Sequence, residues 1–122
     1  MATALDAAQR ERYLGQLADL LDQARVQQRT LTYLQVADAL AMPAPRRSHK
    51  TTWLVEILLK QDADAGRPLR SALVTSRTRP GRPAAGFFDR AQRLGLFDGR
   101  DPDDFHDVLL KELFEQTASS PV

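Results

Sequence analysis

Nine cationic side chains fall between positions 46 and 82: Arg46, Arg47, Lys50, Lys60, Arg67, Arg70, Arg77, Arg79 and Arg82. Only Glu56, Asp62 and Asp64 oppose them there, so the stretch carries +6 between an N-terminal flank of −1 (1–45) and a C-terminal flank of −4 (83–122). The formal net charge of +1 conceals this segregation. A positive middle between negative ends suits the binding of a polyanion, nucleic acid first. Solvated charge on helix faces and turns accounts for the same composition with no partner at all.

Other chemistries find less support. His49 and His106 fall on different predicted helices without further nitrogen or sulfur donors at ligand spacing, so they do not describe a zinc site. Asp101, Asp103, Asp104 and Asp107 lack the spaced glycine and terminal glutamate of a calcium loop, and helix capping explains them better. With Asp98 they form an acidic cluster that either faces away from a phosphate backbone or meets a basic partner. Lys50, Thr51 and Thr52 are not preceded by the glycines of a phosphate-binding loop, and Ser48, Ser71 and Ser76 have no histidine and carboxylate set beside them. There is no cysteine, which removes disulfides, thiolate metal sites and cysteine nucleophiles and fits a reducing compartment. The expectation is a protein that is not an enzyme and carries no cofactor or metal.

The elements that would position the basic residues follow from periodicity and punctuation. At 122 residues, with 43% apolar and 27% charged residues, the chain suits one folded domain. No apolar stretch approaches the roughly 20 residues of a membrane span, and the N-terminus lacks the pattern of a secretory signal, so a cytoplasmic protein without membrane contact is expected. Tyr13, Leu14, Leu17, Leu21 and Ala24 recur at helical spacing within 7–29. Thr32 and Gln35 have the form of a capping box, with Leu31 and Val36 as its hydrophobic staple, opening a second helix over 33–42 that Pro43 and Pro45 end. Ser48 is the expected N-cap of a third helix bearing Trp53, Leu54, Ile57, Leu58 and Ala65, stopped by Gly66 and Pro68. Trp53, Phe87 and Phe88 are read as core.

Residues 71–76 favour a strand, 77–82 contain a Pro-Gly pair suited to a type II turn, and 84–86 offer a short return strand. Phe87, Phe88, Ala91 and Leu94 mark a short helix stopped by Gly95. Asp101 and Pro102 open a last helix to about residue 116, and 117–122 are expected to fray. Its apolar residues Phe105, Val108, Leu109, Leu110, Leu113 and Phe114 form a broad face, which suggests a homodimer through this C-terminal helix.

Helix, short capped helix, longer helix, then a strand pair with a basic turn resembles the order of a winged helix-turn-helix domain, a mainly helical α+β fold. Within it, Thr32-Tyr33-Leu34-Gln35-Val36-Ala37 followed by Leu40-Ala41-Met42-Pro43 is similar to the segment opening the helix-turn-helix of alkyltransferase-like proteins and DNA alkyltransferases. The alkyl-accepting Pro-Cys-His-Arg motif has no counterpart here, so alkyl transfer does not carry over. The connection 42–48 is also longer than the usual turn of about 3–4 residues.

The resemblance implies that His49, Lys50 and Thr51 at the front of the third helix meet bases or phosphates, with Arg46 and Arg47 just before them. It further implies that Arg77, Arg79 and Arg82 form a wing tip on the backbone or minor groove. The expected function is non-enzymatic binding of double-stranded DNA, as a transcription regulator or accessory factor. A protein-interaction module contacting an acidic protein, or a binder of structured RNA, would use the same basic surface.

Overall fold

The computed structural model describes residues 5–118. Its elements run α1 (Ala7–Val26), β1 (Leu31–Thr32), α2 (Tyr33–Ala39), α3 (Arg47–Asp64), a 3-10 turn (Arg70–Leu73), β2 (Val74–Thr75), α4 (Ala85–Arg93) and α5 (Pro102–Ala118). The expected mainly helical α+β composition holds.

Helix starts follow cap chemistry. Thr32 accepts from the Gln35 amide at 3.1 Å while the Gln35 side chain accepts from the Thr32 amide at 2.8 Å, which is the expected capping box. Asp6 and Gln9 build a second one at the head of α1. The Asp101 carboxylate accepts from the Asp104 amide at 3.1 Å, with Pro102 opening α5.

Helix ends share one device. In α1, α2, α3 and α4 the residue after the C-cap takes a positive φ and the next amide reaches back five residues: Arg29 to Ala24, Met42 to Ala37, Arg67 to Asp62 and Leu96 to Ala91. Gly66 and Gly95 supply that conformation without strain, whereas Gln28 (φ 54) and Ala41 (φ 51) adopt it at a steric cost. Ala41 therefore ends α2 at Ala39, ahead of the proline stop expected at 43. α3 likewise begins at Arg47 rather than after Ser48: its N-cap is Arg46, in the left-handed region, with no side-chain cap bond. Ser48 lies inside the first turn and its carbonyl accepts from the Thr52 hydroxyl.

The larger correction concerns 70–86. The β-favouring run forms a 3-10 turn and then a two-residue strand that pairs in parallel with β1, Leu31 opposite Val74 and Thr32 opposite Thr75. The Pro-Gly turn does form, with the Arg82 amide on the Arg79 carbonyl and Gly81 at φ 80. The return strand does not: the Ser76 amide bonds the Arg82 carbonyl, Pro83 is buried, and 85 already starts α4. The segment 77–82 is thus a loop, not the tip of a β-hairpin, because burial of the strand on both faces outweighs its local preference for a hairpin partner.

Leu17, Leu21, Leu54, Leu58, Leu73 and Leu113 are fully buried where α1, α3 and α5 close around the 3-10 turn. The buried face of α3 carries Val55 and Leu59 beside Leu54 and Leu58, leaving Trp53 and Ile57 only half-buried against the core. Phe87 and Phe88 are core as expected, meeting edge to face at 5.3 Å. α5 buries Leu109 and Leu113 in the same core, so its apolar breadth is largely covered within the chain, although Val108 is 53% exposed. Its helix bounds run to Ala118, and residues 119–122, most of the expected frayed tail, lie outside the described ones.

One buried carboxylate ties three elements. Asp62, at zero exposure, accepts from the Arg70 amide (3.1 Å), from Arg70 Nε and Nη2 (3.1 and 2.8 Å) and from Arg67 Nε (3.2 Å). Arg70 also reaches Asp22 on α1 at 3.2 Å. Removing one partner of a buried pair leaves the other uncompensated. Asp62→Ala is expected to lower unfolding free energy by about 3–5 kcal/mol, and Ala41→Gly to raise it by about 1 kcal/mol through relief of left-handed strain. Urea denaturation of both variants checks this; an unchanged midpoint for Asp62→Ala would show that the network contributes nothing net.

Candidate nucleic-acid interface

The basic residues divide by what they already hold. Arg47 is a turn staple: Nε donates to the Met42 carbonyl at 2.7 Å and Nη2 to Asp38 at 2.8 Å. Lys50, at 7% exposure, donates through Nζ to the Pro43 carbonyl at 3.1 Å. Thr51 is fully buried and bonds the Arg47 carbonyl. Two of the expected contact residues, Arg47 and Lys50, therefore fasten α3 to the end of α2 and the segment after it, and Lys50 and Thr51 turn inward, because α3 presents 50, 51, 54, 55 and 58 to the core. Arg46 and His49 are exposed at the head of α3, and among the described residues no hydrogen bond or ion pair engages the Arg46 side chain, although its carbonyl accepts from the Lys50 amide.

The loop 77–82 divides in the same manner. Arg79 pairs with Asp103 at 2.9 Å. Arg82 is clamped to α5: Nη1 donates to the Asp103 carbonyl (2.9 Å), to Asp107 (2.7 Å) and to His106 Nδ1 (3.1 Å). The Asp107 hydrogen bond raises the Arg82 pKa above its ordinary value, and the guanidinium stays charged. Arg77 is exposed and engages no partner among the described residues. It borders a polar cleft of about 370 Å3 shared with Thr30, Thr32, Gln35 and Ser76, into which no carboxylate side chain projects.

The two basic stretches stand on different supports. Arg47 and Lys50 are fixed to the α2 end and Arg79 and Arg82 to the first turns of α5, and among the described residues no hydrogen bond or ion pair joins one stretch to the other. Part of the acidic cluster thus has its basic partner within the chain. Sequence reasoning missed the clamp, since nothing in the spacing of Arg82 and His106 signals contact across 24 residues. Ser48, expected as the cap, and Thr52, expected with His49 at the front of the helix, sit one turn apart on α3, Ser48 exposed and Thr52 half-buried. Tyr33, which follows the capping threonine, is half-buried, and burial raises its hydroxyl pKa, partly offset by the Ala84 backbone.

His106 is the best-defined titratable group. It is fully buried, its Nε2 lies 2.8 Å from the Ala72 carbonyl, and its Nδ1 faces Arg82. A carbonyl only accepts and a guanidinium only donates, so the fitting form is the neutral ring with the proton on Nε2. Burial lowers its pKa from the ordinary 6.5, with the Ala72 bond opposing; Arg82 lowers it further, and Asp107 and Asp103 raise it. The unfolded chain then binds the extra proton first. The stabilisation is complete above about pH 6.5 and is lost as pH falls through that value toward the depressed folded pKa. Urea midpoints between about pH 5 and 8 are expected to fall on the acid side for the native chain, and to fall less for His106→Gln. Parallel curves for the two proteins would contradict this assignment.

A scan against family models, a search of curated proteins and a search of solved structures each find no match to this chain.

Proposed function

We propose that this chain binds double-stranded DNA without catalysing a reaction, as a cytoplasmic regulator or accessory factor. The reading rests on the head of α3. This 18-residue helix has no side-chain cap and no acidic residue in its first turn, and it starts from an unpaired Arg46 with His49 exposed beside it. An uncapped helix N-terminus offers free amides and the positive end of the macrodipole, both of which suit a phosphate. α2 packs against α3, which supports reading the pair as a helix-turn-helix without a wing.

Arg77, beside its hydroxyl-lined cleft, is a second cation available to a backbone phosphate. The other loop arginines contribute less, because α5 carboxylates already hold them. Two or three neutralised phosphates imply a log–log salt slope of about −2 to −3.

Fluorescence titration of a mixed-sequence duplex across salt concentrations tests the proposal. Arg46→Ser with Arg77→Ser should weaken binding about tenfold at low salt and flatten the slope by about 2, with the melting temperature unchanged because neither arginine is paired. An absence of duplex binding at low salt refutes the reading. Tighter binding of an A-form RNA duplex than of DNA would redirect it to RNA.

A further inference from the structure

The connection between α4 and α5 and the first two turns of α5 enclose an open groove of about 700 Å3. Its wall is aromatic: Phe97 and Phe105 stack with centroids 4.5 Å apart, backed by Phe88 at 6.0 Å from Phe97. Leu96 and Val108 line the same groove and are 37% and 53% exposed. A neighbouring pair of uncovered aliphatic side chains beside stacked rings is more than the scattered apolar exposure of an ordinary surface.

The rim is acidic. Asp98 and Arg100 neutralise each other through guanidinium contacts of 3.2 and 3.1 Å. Asp101 uses one oxygen to cap α5, and the exposed Asp104 carboxylate has no partner among the described residues. The Asp104 carboxylate and the second oxygen of Asp101 therefore leave a net negative rim beside an apolar floor.

We propose that this groove docks a short cationic amphipathic segment of another protein, with apolar anchors against Leu96, Phe105 and Val108 and lysine or arginine at Asp101 and Asp104. A polyanion would meet repulsion at this rim, and a wholly apolar ligand would leave two carboxylates partly desolvated without countercharge. A second copy meeting the same face about a two-fold axis would bring two negative rims together without the countercharge that a cationic segment supplies. From Asp101 to Val108 α5 rises about 10 Å, which matches two turns of a docked helix carrying anchors at i, i+3 or i+4, and i+7. This surface shares no residue with the proposed DNA contacts, so either proposal can fail alone.

Fluorescence anisotropy tests it with a labelled helical peptide of about fourteen residues, leucines on one face and lysine and arginine on the other, beside a matched peptide with glutamate at the basic positions. The cationic peptide should bind with a Kd of roughly 10–100 μM, and the acidic one at least about tenfold more weakly. Leu96→Asp and Val108→Glu, both at exposed positions, should each weaken the cationic peptide about tenfold, and Asp104→Asn about threefold. On the unaltered protein, amide shifts confined to 95–108 on adding the cationic peptide support the same conclusion. Equal binding of both peptides overturns the proposal. So does unchanged affinity in Leu96→Asp and Val108→Glu, or a dimer in sedimentation equilibrium that Val108→Glu dissociates.

Discussion

The fold depends on keeping a non-helical segment hydrogen-bonded in the middle of the core. Residues 69 and 71–75 are buried, yet the 3-10 turn and the two-residue strand among them cannot satisfy their own amides and carbonyls. A buried backbone group left unpaired costs as much as a lost hydrogen bond, so α3, α5 and β1 each contribute a partner. Asp62 takes the Arg70 amide from α3, His106 on α5 serves the Ala72 carbonyl, and β1 pairs with Val74 and Thr75. Ser71 adds a bond to the Val55 carbonyl and Thr75 one to the Leu31 carbonyl. Of the buried polar residues, Asp62 and His106 serve the backbone of this stretch from outside, and Ser71 and Thr75 tie it to α3 and β1 through their own hydroxyls.

The same constraint explains where the charge goes. A surplus of +6 over 46–82 would repel itself if it were gathered on one face. Six of the nine cations are instead held by carboxylates: Arg70 and Arg67 by Asp62 and Lys60 by Asp64 within the stretch, and Arg47 by Asp38, Arg70 also by Asp22, and Arg79 and Arg82 by the head of α5 outside it. The acidic C-terminal part is in good measure the counterion of the basic middle. The field left for a polyanion comes from Arg46, Arg77 and the head of α3, a smaller source than the composition suggests.

Local chemistry was legible in the sequence, and long-range competition was not. The capping box at Thr32, the Pro-Gly turn, the Asp101 start and the glycine stops at 66 and 95 depend on residues within a few positions of one another, and all of them form. The ends of α1 and α2 were misread because their left-handed residues are Gln28 and Ala41, which carry no glycine signal. The wing failed for a different reason. Residues 71–75 prefer extended backbone, but which strand they pair with is decided by burial among three helices, and β1 at a distance of some forty residues wins over the adjacent return segment. Lys50 and Thr51 were placed outward by analogy with a recognition helix, whereas the rotation of α3 is fixed by packing against both sides of its stripe.

Helical periodicity gives the head of α5 two tasks on adjacent faces. Asp103, His106 and Asp107 lie at spacings of three and four and hold Arg82, which closes the loop carrying Arg77. Asp101, Asp104, Phe105 and Val108 lie at the same spacings one face round and border the groove. Because the residues of one helix move together, a shift of these two turns changes all three Arg82 acceptors at once, and one of them is the buried ring that also secures the Ala72 carbonyl. The loop is therefore tied to the core through α5 as well as through its own backbone, and the position of Arg77 depends on the helix that holds Arg82.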